Sequence, residues 1–325
     1  MILITGGAGY IGSHINKIIT SQGYETIVVD NLSNGHKEFV KWGLFYEVDL
    51  RDELQLSAVF ERHEIEAVIH LAAYAYVGES VGNPQKYNNN NIISTLSLLN
   101  VMLKYNVKNI IFSSTCAVYG VPHSLPITEN NPLTPINPYG ETKAFIEKVL
   151  KQYHKSYNLN YISLRYFNVA GGDFDCDIGE FHEPETHLIP IALNKAYNQE
   201  SIDIFGDDYD TNDGTCIRDY IHVLDLADAH ILALKHLLKT QESDVFNLGT
   251  EHGYSNLDII KSIENILDSK IKINFSQRRE GDPDKLVASN RKAKEILNWE
   301  PKYSDINVII ESAWKWYKKQ NKLTR

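Results

Sequence analysis

The 325-residue sequence has few of the features that mark secreted or membrane-spanning proteins. It has three cysteines, Cys116, Cys176 and Cys216, which are far apart and form no Cys-x-x-Cys pair. An odd, scattered set is not typical of a disulfide framework and indicates a reducing compartment. The first residues lack the basic segment of a signal peptide, and no apolar run is long enough to cross a bilayer. We therefore expect a cytoplasmic protein.

The sequence also lacks an excess of basic residues. It has 32 Lys and Arg against 42 Asp and Glu, which gives a formal net charge of −10. This balance argues against a nucleic-acid or membrane-surface partner. A hydrophobic content of 43% and a charged content of 23% are ordinary for a globular enzyme, and the length suits one large or two medium domains.

The most informative stretch is 1–12, which reads MILITGGAGYIG. Its apolar, β-branched start predicts a buried strand over 1–5, and the spacing of later isoleucines predicts a helix over 12–22. Between them Gly7, Gly9 and Gly12 fit G-x-G-x-x-G. In this context the glycines permit a tight turn, and the helix start can bind a pyrophosphate. A tight turn without a ligand is the alternative.

An acidic residue supports the dinucleotide interpretation and selects the cofactor. A second predicted strand, 25–30, ends in Asp30, 18 residues after Gly12. A carboxylate at this place can bind an adenosine ribose diol and would repel a 2′-phosphate. No arginine follows Asp30, since the next residues are Asn31 and Leu32. The sequence therefore predicts NAD rather than NADP.

The first half alternates predicted strands and helices. The strands are 1–5, 25–30, 44–48, 66–71, 107–113 and 160–165, and the helices are 12–22, 52–62, 85–105 and 138–157. This alternation is typical of an α/β fold with a doubly wound parallel sheet. Such sheets bind ligands beyond the carboxyl ends of their strands, where Asp30, Asp49, 70–73 and 113–115 would meet.

After residue 167 the alternation loosens. Helices are predicted at 186–199, 222–239, 255–267 and 304–320, and short strands at 202–205 and 245–248. We predict a dinucleotide-binding domain over 1–167 and a smaller, discontinuous, mixed α/β C-terminal substrate lobe over 168–325. A crossover segment around 206–235 is expected to return to the first domain.

A second informative stretch, 138–143, reads PYGETK. Pro138 suits a helix start, so Tyr139 and Lys143 would lie one turn apart on the same face. An ammonium near a phenol favours the phenolate and lowers the pKa of the tyrosine. A phenolate could accept a proton from a substrate hydroxyl while hydride passes to the nicotinamide. A hydroxyl from the strand end 113–115 would face the same crevice.

With these motifs in place, the chain resembles the extended short-chain dehydrogenases/reductases and, within them, the UDP-galactose 4-epimerase family. The supporting segments are GGAGYIG, VVDNLSNG, HLAAYAYVGES, IIFSSTCAVYG, NPYGETK, LRYFNVAG, PETHLIP, DGTCIRDYIHV and RREGD. They run from the first residues to about residue 300. The resemblance implies a Rossmann-type dinucleotide domain with a smaller lobe for the UDP-sugar.

The resemblance also implies roles for individual residues. Tyr139 matches the catalytic base, Lys143 the ligand of the cofactor ribose, and Thr115 the hydroxyl that binds the substrate. The implied cofactor contacts are Gly7, Gly9, Tyr10, Ile11, Gly12, Asp30, Asn31, Asp49, Leu50, Leu71, Ala72, Ala73, Asn90, Ser113, Tyr139, Lys143 and Tyr166. The implied substrate contacts are Thr115, Tyr139, Asn168, His187, Leu188, Phe205, Arg218, Arg279, Asp282 and Leu286.

The implied reaction is inversion at C4 of a UDP-hexose, with NAD retained through the cycle and a transient 4-keto sugar. Cys116-Ala117 stand where dehydratase and decarboxylase relatives carry acids after the Ser/Thr, which disfavours those reactions. Leu286 stands where a bulkier tyrosine restricts N-acetylated sugars, so UDP-N-acetylhexosamines are expected to fit as well. The resemblance further implies a homodimer, formed through 85–105 and 138–157.

Other readings remain open at this point. The chain could act on another nucleotide sugar, such as UDP-glucuronate or UDP-N-acetylglucosamine, as an epimerase or a net oxidoreductase, or bind such a ligand without catalysis. We expect no metal. The acids Asp173, Asp175, Asp177 and Glu180 resemble a calcium loop, but Ile178 and Pro184 occupy its glycine and closing-acid positions. His182 and His187 lack ligand-type partners at metal-site spacing.

Overall fold

The computed structural model describes residues 1–279 and 282–323, except for the side chain of Leu323. Its strands are β1 Ile2–Thr5, β2 Thr26–Asp30, β3 Leu44–Glu47, β4 Ala67–His70, β5 Asn109–Thr115, β6 Asn160–Tyr166, β7 Asn168–Ala170, β8 Ile202–Phe205, β9 Ile217–His222, β10 Asp244–Leu248, β11 Gly253–Ser255, β12 Ile273–Ser276 and β13 Lys285–Leu286. Its α-helices are α1 Tyr10–Ser21, α2 Glu53–Arg62, α3 Val77–Gly82, α4 Pro84–Tyr87, α5 Ser94–Lys104, α6 Pro138–Tyr157, α7 Leu188–Asn198, α8 Val223–Thr240, α9 Asn256–Leu267, α10 Arg291–Leu297 and α11 Ile306–Leu323.

A seven-stranded sheet of order β3-β2-β1-β4-β5-β6-β10 forms the centre of the first half, and every pairing in it is parallel. The central strands β1, β2, β4 and β5 are buried and rich in Ile, Val and Leu, as expected of a sheet covered on both faces, whereas the edge strand β3 is partly exposed. The order reverses between β1 and β4, which creates a crevice at their carboxyl ends. The prediction of an α/β, doubly wound, Rossmann-type fold is confirmed.

The second half adds smaller sheets beside this crevice. Strands β11, β9 and β13 pair in that order, and β7 pairs with β9. Strands β8 and β12 form a separate parallel pair. A third apolar core, which includes Leu193, Ile260 and Ile310 of α7, α9 and α11, supports them. This part of the chain is mixed α/β.

The segment that returns to the large sheet is α8 followed by β10. Helix α8 packs against α1, and β10 pairs with β6 at the edge of the sheet. The sequence predicted that residues 206–235 would return to the first domain. That segment shares only part of α8 with the segment that does return, α8 and β10. Strand β9 pairs instead with strands of the smaller sheets.

The predicted elements agree closely with the observed ones in the first half. The helix predicted over 138–157 and the strand predicted over 202–205 are both observed with those bounds. Strand β9 was not predicted because Arg218 and Asp219 interrupt its apolar pattern. Asp219 is buried and accepts hydrogen bonds from the backbone of Thr250 and Ala288. Short elements β7, β11, β12, β13 and α10 were also not predicted.

The single helix expected over 85–105 is instead α4, a π-helix over Asn88–Ile93, and α5. The buried side chain of Asn91 faces inward from the π-helical turn. It accepts a hydrogen bond from the Tyr74 backbone and donates to Thr142 of α6. Wider turns of this kind re-aim side chains inside a helix and are frequent at functional sites.

Within the described residues, no helix is both long enough and apolar enough to span a membrane.

Candidate active site

The glycine turn brings the end of β1 against the end of β4. Gly6 has a φ of +72°, and a Cβ on it would lie 2.7 Å from the Ala72 backbone nitrogen. A Cβ on Gly12 would lie 2.2 Å from the Gly6 carbonyl oxygen. In both cases the added Cβ would clash with backbone atoms, whose displacement would distort the turn. Glycine is therefore required at these two positions. The turn therefore lies directly against the backbone of Leu71 and Ala72, and Ala73 follows them in the chain.

The start of α1 presents donors suited to an anion. Its N-cap, Gly9, has no side chain to cap the helix, and no acidic residue occupies the first turn. A Cβ built on Gly9 would meet only the Gly6 carbonyl oxygen, at 3.4 Å, so the space beside this backbone is open. Backbone N–H groups at such a helix start bind phosphate. The turn thus fits the pyrophosphate of a dinucleotide.

Tyr10 and Ile11 follow the turn but use their side chains for packing. The Tyr10 hydroxyl donates to the Gly171 carbonyl oxygen at 2.6 Å, and Ile11 packs against the apolar core. Any contact that these two residues make with a pyrophosphate would come from their backbone.

Asp30 ends β2 beside the glycine turn. Its carboxylate accepts hydrogen bonds from the backbone nitrogens of Ala8, at 3.0 Å, and Leu32, at 2.9 Å. Burial raises the pKa of Asp30, and these two bonds oppose the shift. Each carboxylate oxygen has a second lone pair, so Asp30 can both hold the turn and accept ribose hydroxyls.

Asp49 and Leu50 follow β3 next to Asn31. Asn31 donates to Asp49 at 3.0 Å, and Arg51 pairs with the same carboxylate through two nitrogens. The Arg51 hydrogen bonds hold the pKa of Asp49 well below its usual range. Leu50 is buried. These residues form a polar rim with an apolar floor, which suits an adenine ring.

Asn90 lies in the π-helix near the loop that follows β4. Its amide donates to the side chain of Asn91 at 3.2 Å. Asn91 in turn fixes that loop, because its amide also donates to the Tyr74 carbonyl oxygen at 3.0 Å. This structural role of Asn91 was not predicted from the sequence. The only feature of the sequence that marks the residue is the run of four asparagines at 88–91.

The ends of β5 and α6 bring Thr115 and Tyr139 together. Asn137 caps α6 by accepting a hydrogen bond from the Gly140 nitrogen at 2.8 Å. A Cβ on Gly140 would lie 2.6 Å from the Ala117 carbonyl oxygen, so glycine lets the helix start approach the turn after β5. As a result, the Thr115 side chain lies close enough to the Tyr139 hydroxyl to influence its ionisation.

Tyr139 is buried, and burial is the largest influence on its ionisation. Loss of water raises the pKa of Tyr139 above its ordinary value; Tyr166 adds to this shift and Thr115 opposes it. Lys143 is not among the groups that influence this pKa most, so the lowering expected from Lys143 and an oxidised nicotinamide is not seen in the protein by itself. The Lys143 Nζ atom lies 6.0 Å from the centre of the Tyr139 ring.

Lys143 is a buried amine at the back of the same crevice. Its Nζ atom donates to the Ser113 carbonyl oxygen at 2.7 Å and lies 4.9 Å from the centre of the Phe112 ring. Burial lowers the pKa of Lys143 to about 7, and Glu147 opposes this shift. Glu147 is itself committed to Arg165, whose Nε donates to it at 2.9 Å. Lys143 is thus free to offer protons to a ligand.

Ser113 and Tyr166 line the same edge from adjacent strands. Their hydroxyls are hydrogen-bonded to each other, and the register of β5 with β6 places Thr115 opposite Tyr166. The structure therefore gathers Ser113, Thr115, Tyr139, Lys143 and Tyr166 at the carboxyl ends of two strands and the start of α6.

The other predicted substrate residues lie on the smaller sheets. Arg218 of β9 is ion-paired with Asp282, and Tyr209 also donates to this carboxylate at 3.4 Å. The guanidinium of Arg218 and the thiol of Cys116 each shift the other's pKa, so Arg218 lies close to the turn after Thr115. Arg218 is thus the residue through which the smaller lobe approaches the predicted catalytic residue Thr115. Burial raises the pKa of Cys116 to about 11, which argues against a nucleophilic thiol.

Phe205 and Arg279 form a second contact of this lobe. Phe205 ends β8 with 37% of its surface exposed, and the Arg279 guanidinium carbon lies 4.2 Å from the centre of its ring. An aromatic face next to a cation suits a planar base and its phosphates.

Asn168 and Leu286 are two further predicted substrate residues that lie on short strands. Asn168 begins β7 directly after Phe167, and Leu286 lies opposite Arg218 in the pairing of β13 with β9. Leu286 is buried in an apolar cluster with Val118 and Phe167. The position expected to set sugar size therefore lies beside the turn that follows Thr115.

His187 and Leu188 lie at the start of α7. The His187 backbone nitrogen donates to Glu185 at 2.9 Å, and the Nδ1 atom of its ring lies 2.8 Å from Glu180. His187 is thus engaged by two carboxylates. The expectation that His182 and His187 lack ligand-type partners is wrong, because Glu180 and Glu185 lie next to both rings.

The acidic group that resembled a calcium loop is closed by a lysine. The Lys17 Nζ atom lies 2.7 Å from Asp173, 3.0 Å from Asp175 and 3.1 Å from Asp177. These contacts raise the Lys17 pKa above its usual value, although burial opposes them. The three carboxylates already have a cation in the protein itself.

Comparisons with known proteins agree on one family. The profile of the NAD dependent epimerase/dehydratase family matches residues 2–249. A UDP-glucose 4-epimerase of Rhizobium meliloti (strain 1021) is 50% identical over 321 residues, which cover 98% of each chain. The crystal structure of UDP-glucose 4-epimerase from Brucella ovis in complex with NAD is 48% identical, covers 97% of each chain and has a TM-score of 0.94. The UDP-Glc/GlcNAc 4-epimerase from Campylobacter jejuni is 42% identical, covers 98% of this chain and 99% of its own, and has a TM-score of 0.85.

Proposed function

The chain belongs to the NAD dependent epimerase/dehydratase family, and from this membership we infer that it is an isomerase that inverts C4 of a UDP-hexose. The reaction interconverts UDP-galactose and UDP-glucose. One observation supports this function above all: a buried tyrosine with Thr115 beside it stands one helical turn from the buried amine of Lys143. The full-length similarity to UDP-glucose 4-epimerases agrees with it.

NAD is the cofactor, and its proposed contacts are the glycine turn, Asp30, Asp49 and Lys143. The uncapped start of α1 suits the pyrophosphate, and the carboxylate of Asp30 suits the adenosine ribose. Bound NAD would supply the acceptor for the C4 hydride, the source of its return and a positive charge beside Tyr139.

Tyr139 would take the proton from the sugar 4-hydroxyl and later give it back. Thr115 lies beside the Tyr139 hydroxyl, and burial keeps water away from the exchange. Because burial raises the pKa of Tyr139, the phenolate needs nearby positive charge. Lys143 is placed to provide such charge and to bind a ribose hydroxyl, since only one of its protons is used by Ser113.

The smaller lobe would hold the UDP group while the sugar turns. We propose that Phe205 stacks against uracil, that Arg279 and Arg218 bind the two phosphates, and that Asp282 accepts a ribose hydroxyl. The 4.2 Å contact of Arg279 with Phe205 and the Arg218–Asp282 ion pair support this assignment. Residues 1–167 with the returning α8 and β10 would then bind NAD, and the remaining segments the UDP-sugar.

We also propose that UDP-N-acetylhexosamines are accepted. Leu286 is smaller than a tyrosine and borders the turn after Thr115. The enzyme of Campylobacter jejuni, 42% identical, carries both UDP-Glc and GlcNAc in its name.

A second copy of the chain is the partner that we propose, in the cytoplasm as expected from the free cysteines. Ile93 before α5 and Phe145 on α6 are large apolar side chains, 47% and 44% exposed. Exposed apolar groups on neighbouring helices are typical of an interface. Light scattering of wild type and Phe145→Glu would test it, with a shift from dimer to monomer expected.

The experiment that tests the function is conversion of UDP-galactose by the purified protein without added NAD. We expect UDP-glucose to form, and UDP-N-acetylglucosamine to form from the N-acetylated substrate. Failure with both substrates, even after NAD is supplied, would overturn the epimerase assignment. When NAD is supplied in excess, accumulation of free NADH in proportion to substrate would instead indicate a net oxidoreductase.

A further inference from the structure

Four side chains of the loop before α7 converge on one point. They are Glu180, His182, Glu185 and His187, and their ligand-type atoms all lie within 4.8 Å of one another. The set spans only eight residues, with both histidines presenting Nδ1 to the carboxylates. Two imidazoles and two carboxylates are a ligand set that proteins use for divalent transition metals.

The Glu180 carboxylate is the least satisfied member of this group. Its side chain is 7% exposed, and its Oε1 atom has no well-aligned hydrogen-bond donor. It lies 2.8 Å from His187 Nδ1 and 3.5 Å from His182 Nδ1. A buried carboxylate oxygen without a donor costs free energy unless a cation satisfies it. The oxygen is aimed into the space that the four side chains share.

The charge balance of Glu180 and Glu185 also favours a bound cation. Among the described residues, no lysine or arginine forms an ion pair with Glu180 or Glu185. Without a metal, balancing these carboxylates requires two imidazolium rings, whose centres lie 5.2 Å apart and repel each other. One divalent ion with two neutral imidazoles removes that repulsion and balances both carboxylates.

The four side chains lie close enough together to share one four-coordinate ion. A tetrahedron with bonds of about 2.0–2.1 Å has edges of about 3.4 Å. Four of the observed contacts between nitrogen and oxygen are 2.8, 3.0, 3.4 and 3.5 Å. The ring of Tyr10 packs edge-on against His182, with centroids 6.2 Å apart, which helps to fix that imidazole.

The neighbouring group of three aspartates has its negative charge balanced in a different way. There Lys17 contacts Asp173, Asp175 and Asp177 together, so the protein supplies the cation itself. The group at 180–187 has histidines in place of a lysine, and imidazole is a ligand as well as a base.

We propose that Glu180, His182, Glu185 and His187 bind one divalent ion of the zinc class in a four-coordinate site. The ion would take a structural role. It would hold the loop that enters α7 and so fix the position of Leu188, which packs against the apolar core of the smaller lobe. The site is separate from the hydride and proton chemistry, and its metal content can be measured whether or not the epimerase function holds.

Metal analysis of tag-free holoenzyme is the direct test. The protein is incubated with ZnCl₂, freed of excess by gel filtration and analysed by mass spectrometry for metal per chain. We expect one zinc ion per chain, and a tetrahedral d–d absorption spectrum when cobalt replaces it. His182→Gln and Glu180→Gln should weaken zinc binding by at least about 100-fold, since each removes a ligand.

Two further variants keep the test decisive. His123→Gln changes an exposed histidine away from the loop and should bind zinc like wild type. His182→Cys restores a ligand and should regain zinc binding, with a sulfur-to-cobalt charge-transfer band that only direct coordination produces. Retained NAD absorbance shows that each variant is folded. The proposal is overturned if wild type binds no zinc, or if His182→Gln binds it equally well, in which case the group consists of histidine–glutamate ion pairs.

Discussion

Thr115, Tyr139 and Lys143 lie at the ends of regular elements, whereas Phe205, Arg279 and Asp282 lie on short strands and the connections between them. The first three are buried, and each is held by the backbone geometry of β5 or α6. The others are held by contacts between side chains, such as Arg279 with Phe205, and Phe205 remains 37% exposed.

This difference matches the two tasks of the enzyme. Proton transfer requires a fixed hydroxyl, and strands and helices hold side chains more precisely than loops do. Recognition of a nucleotide tolerates some adjustment, because stacking and charge pairing act over a range of geometries. Changes in the first region should therefore act on the rate of chemistry, and changes in the second on substrate affinity.

The largest effect is expected from Tyr139→Phe. Removal of the hydroxyl takes away the proposed acid and base, so kcat should fall by about 100- to 10,000-fold. Bound NAD, measured by absorbance after denaturation, should stay near wild type because the ring remains in place. Tyr153→Phe, on the same helix, serves as the control and should keep full activity. An active Tyr139→Phe variant would remove Tyr139 from its proposed role.

The next effect is expected from Gly12→Ala in the glycine turn. The added Cβ would lie 2.2 Å from the Gly6 carbonyl oxygen, so the turn must open. We expect NAD retention to be lost and the free energy of unfolding to fall by about 1–3 kcal/mol.

Gly78→Ala is the matched control for that variant. No atom lies within 4 Å of a Cβ on Gly78, which is in helix α3. Its free energy of unfolding should stay within about 1 kcal/mol of wild type and its NAD content should be unchanged. Equal behaviour of the two alanine variants in calorimetry and NAD content would contradict the structural role of Gly12.

A smaller effect is expected in the second region from Arg279→Ala. Loss of one charge-assisted phosphate contact should raise KM for UDP-galactose by about 10- to 100-fold, with kcat nearly unchanged. Arg278→Ala is the neighbouring control, because Arg278 pairs with Asp208 and Asp284 and should affect KM much less. A fall in kcat at unchanged KM would place Arg279 in the chemical step and erase the distinction between the two regions.

The smallest effect concerns a buried histidine near the catalytic edge. His230 of α8 packs near Tyr166, its Nε2 atom has no hydrogen-bond partner, and burial lowers its pKa to about 4. The unfolded chain therefore binds a proton between about pH 6.5 and 4 while the folded chain does not. Stability from this group is present above pH 6.5 and is lost as the pH falls through that window.

His230→Leu should remove this acid sensitivity. By linkage, the difference in free energy of unfolding between pH 7 and pH 5 should shrink by about 2 kcal/mol. Urea unfolding at the two pH values measures it, and His123→Gln, an exposed histidine, should leave the difference as in wild type. An unchanged difference in His230→Leu would show that His230 is not held neutral.

Much of the first half could be predicted from the sequence because its signals are local. An apolar run followed by Gly7, Gly9 and Gly12 predicts a strand, a turn and a helix whatever the rest of the chain does. Pro138 and the helical spacing after it predict α6, whose observed bounds are those expected. The identity of the family is likewise carried by contiguous motifs.

Other features were decided only by the tertiary structure, because they depend on residues that are far apart in the chain or irregularly spaced within it. Strand β9 exists because Asp219 is satisfied by Thr250 and Ala288, partners that no local pattern reveals. The raised pKa of Tyr139 follows from burial, which spacing does not show. Similarly, the folding of one loop brings Glu180 and Glu185 to the histidines. Local sequence fixes backbone preference and motif chemistry, whereas burial and distant partners set charge and pKa.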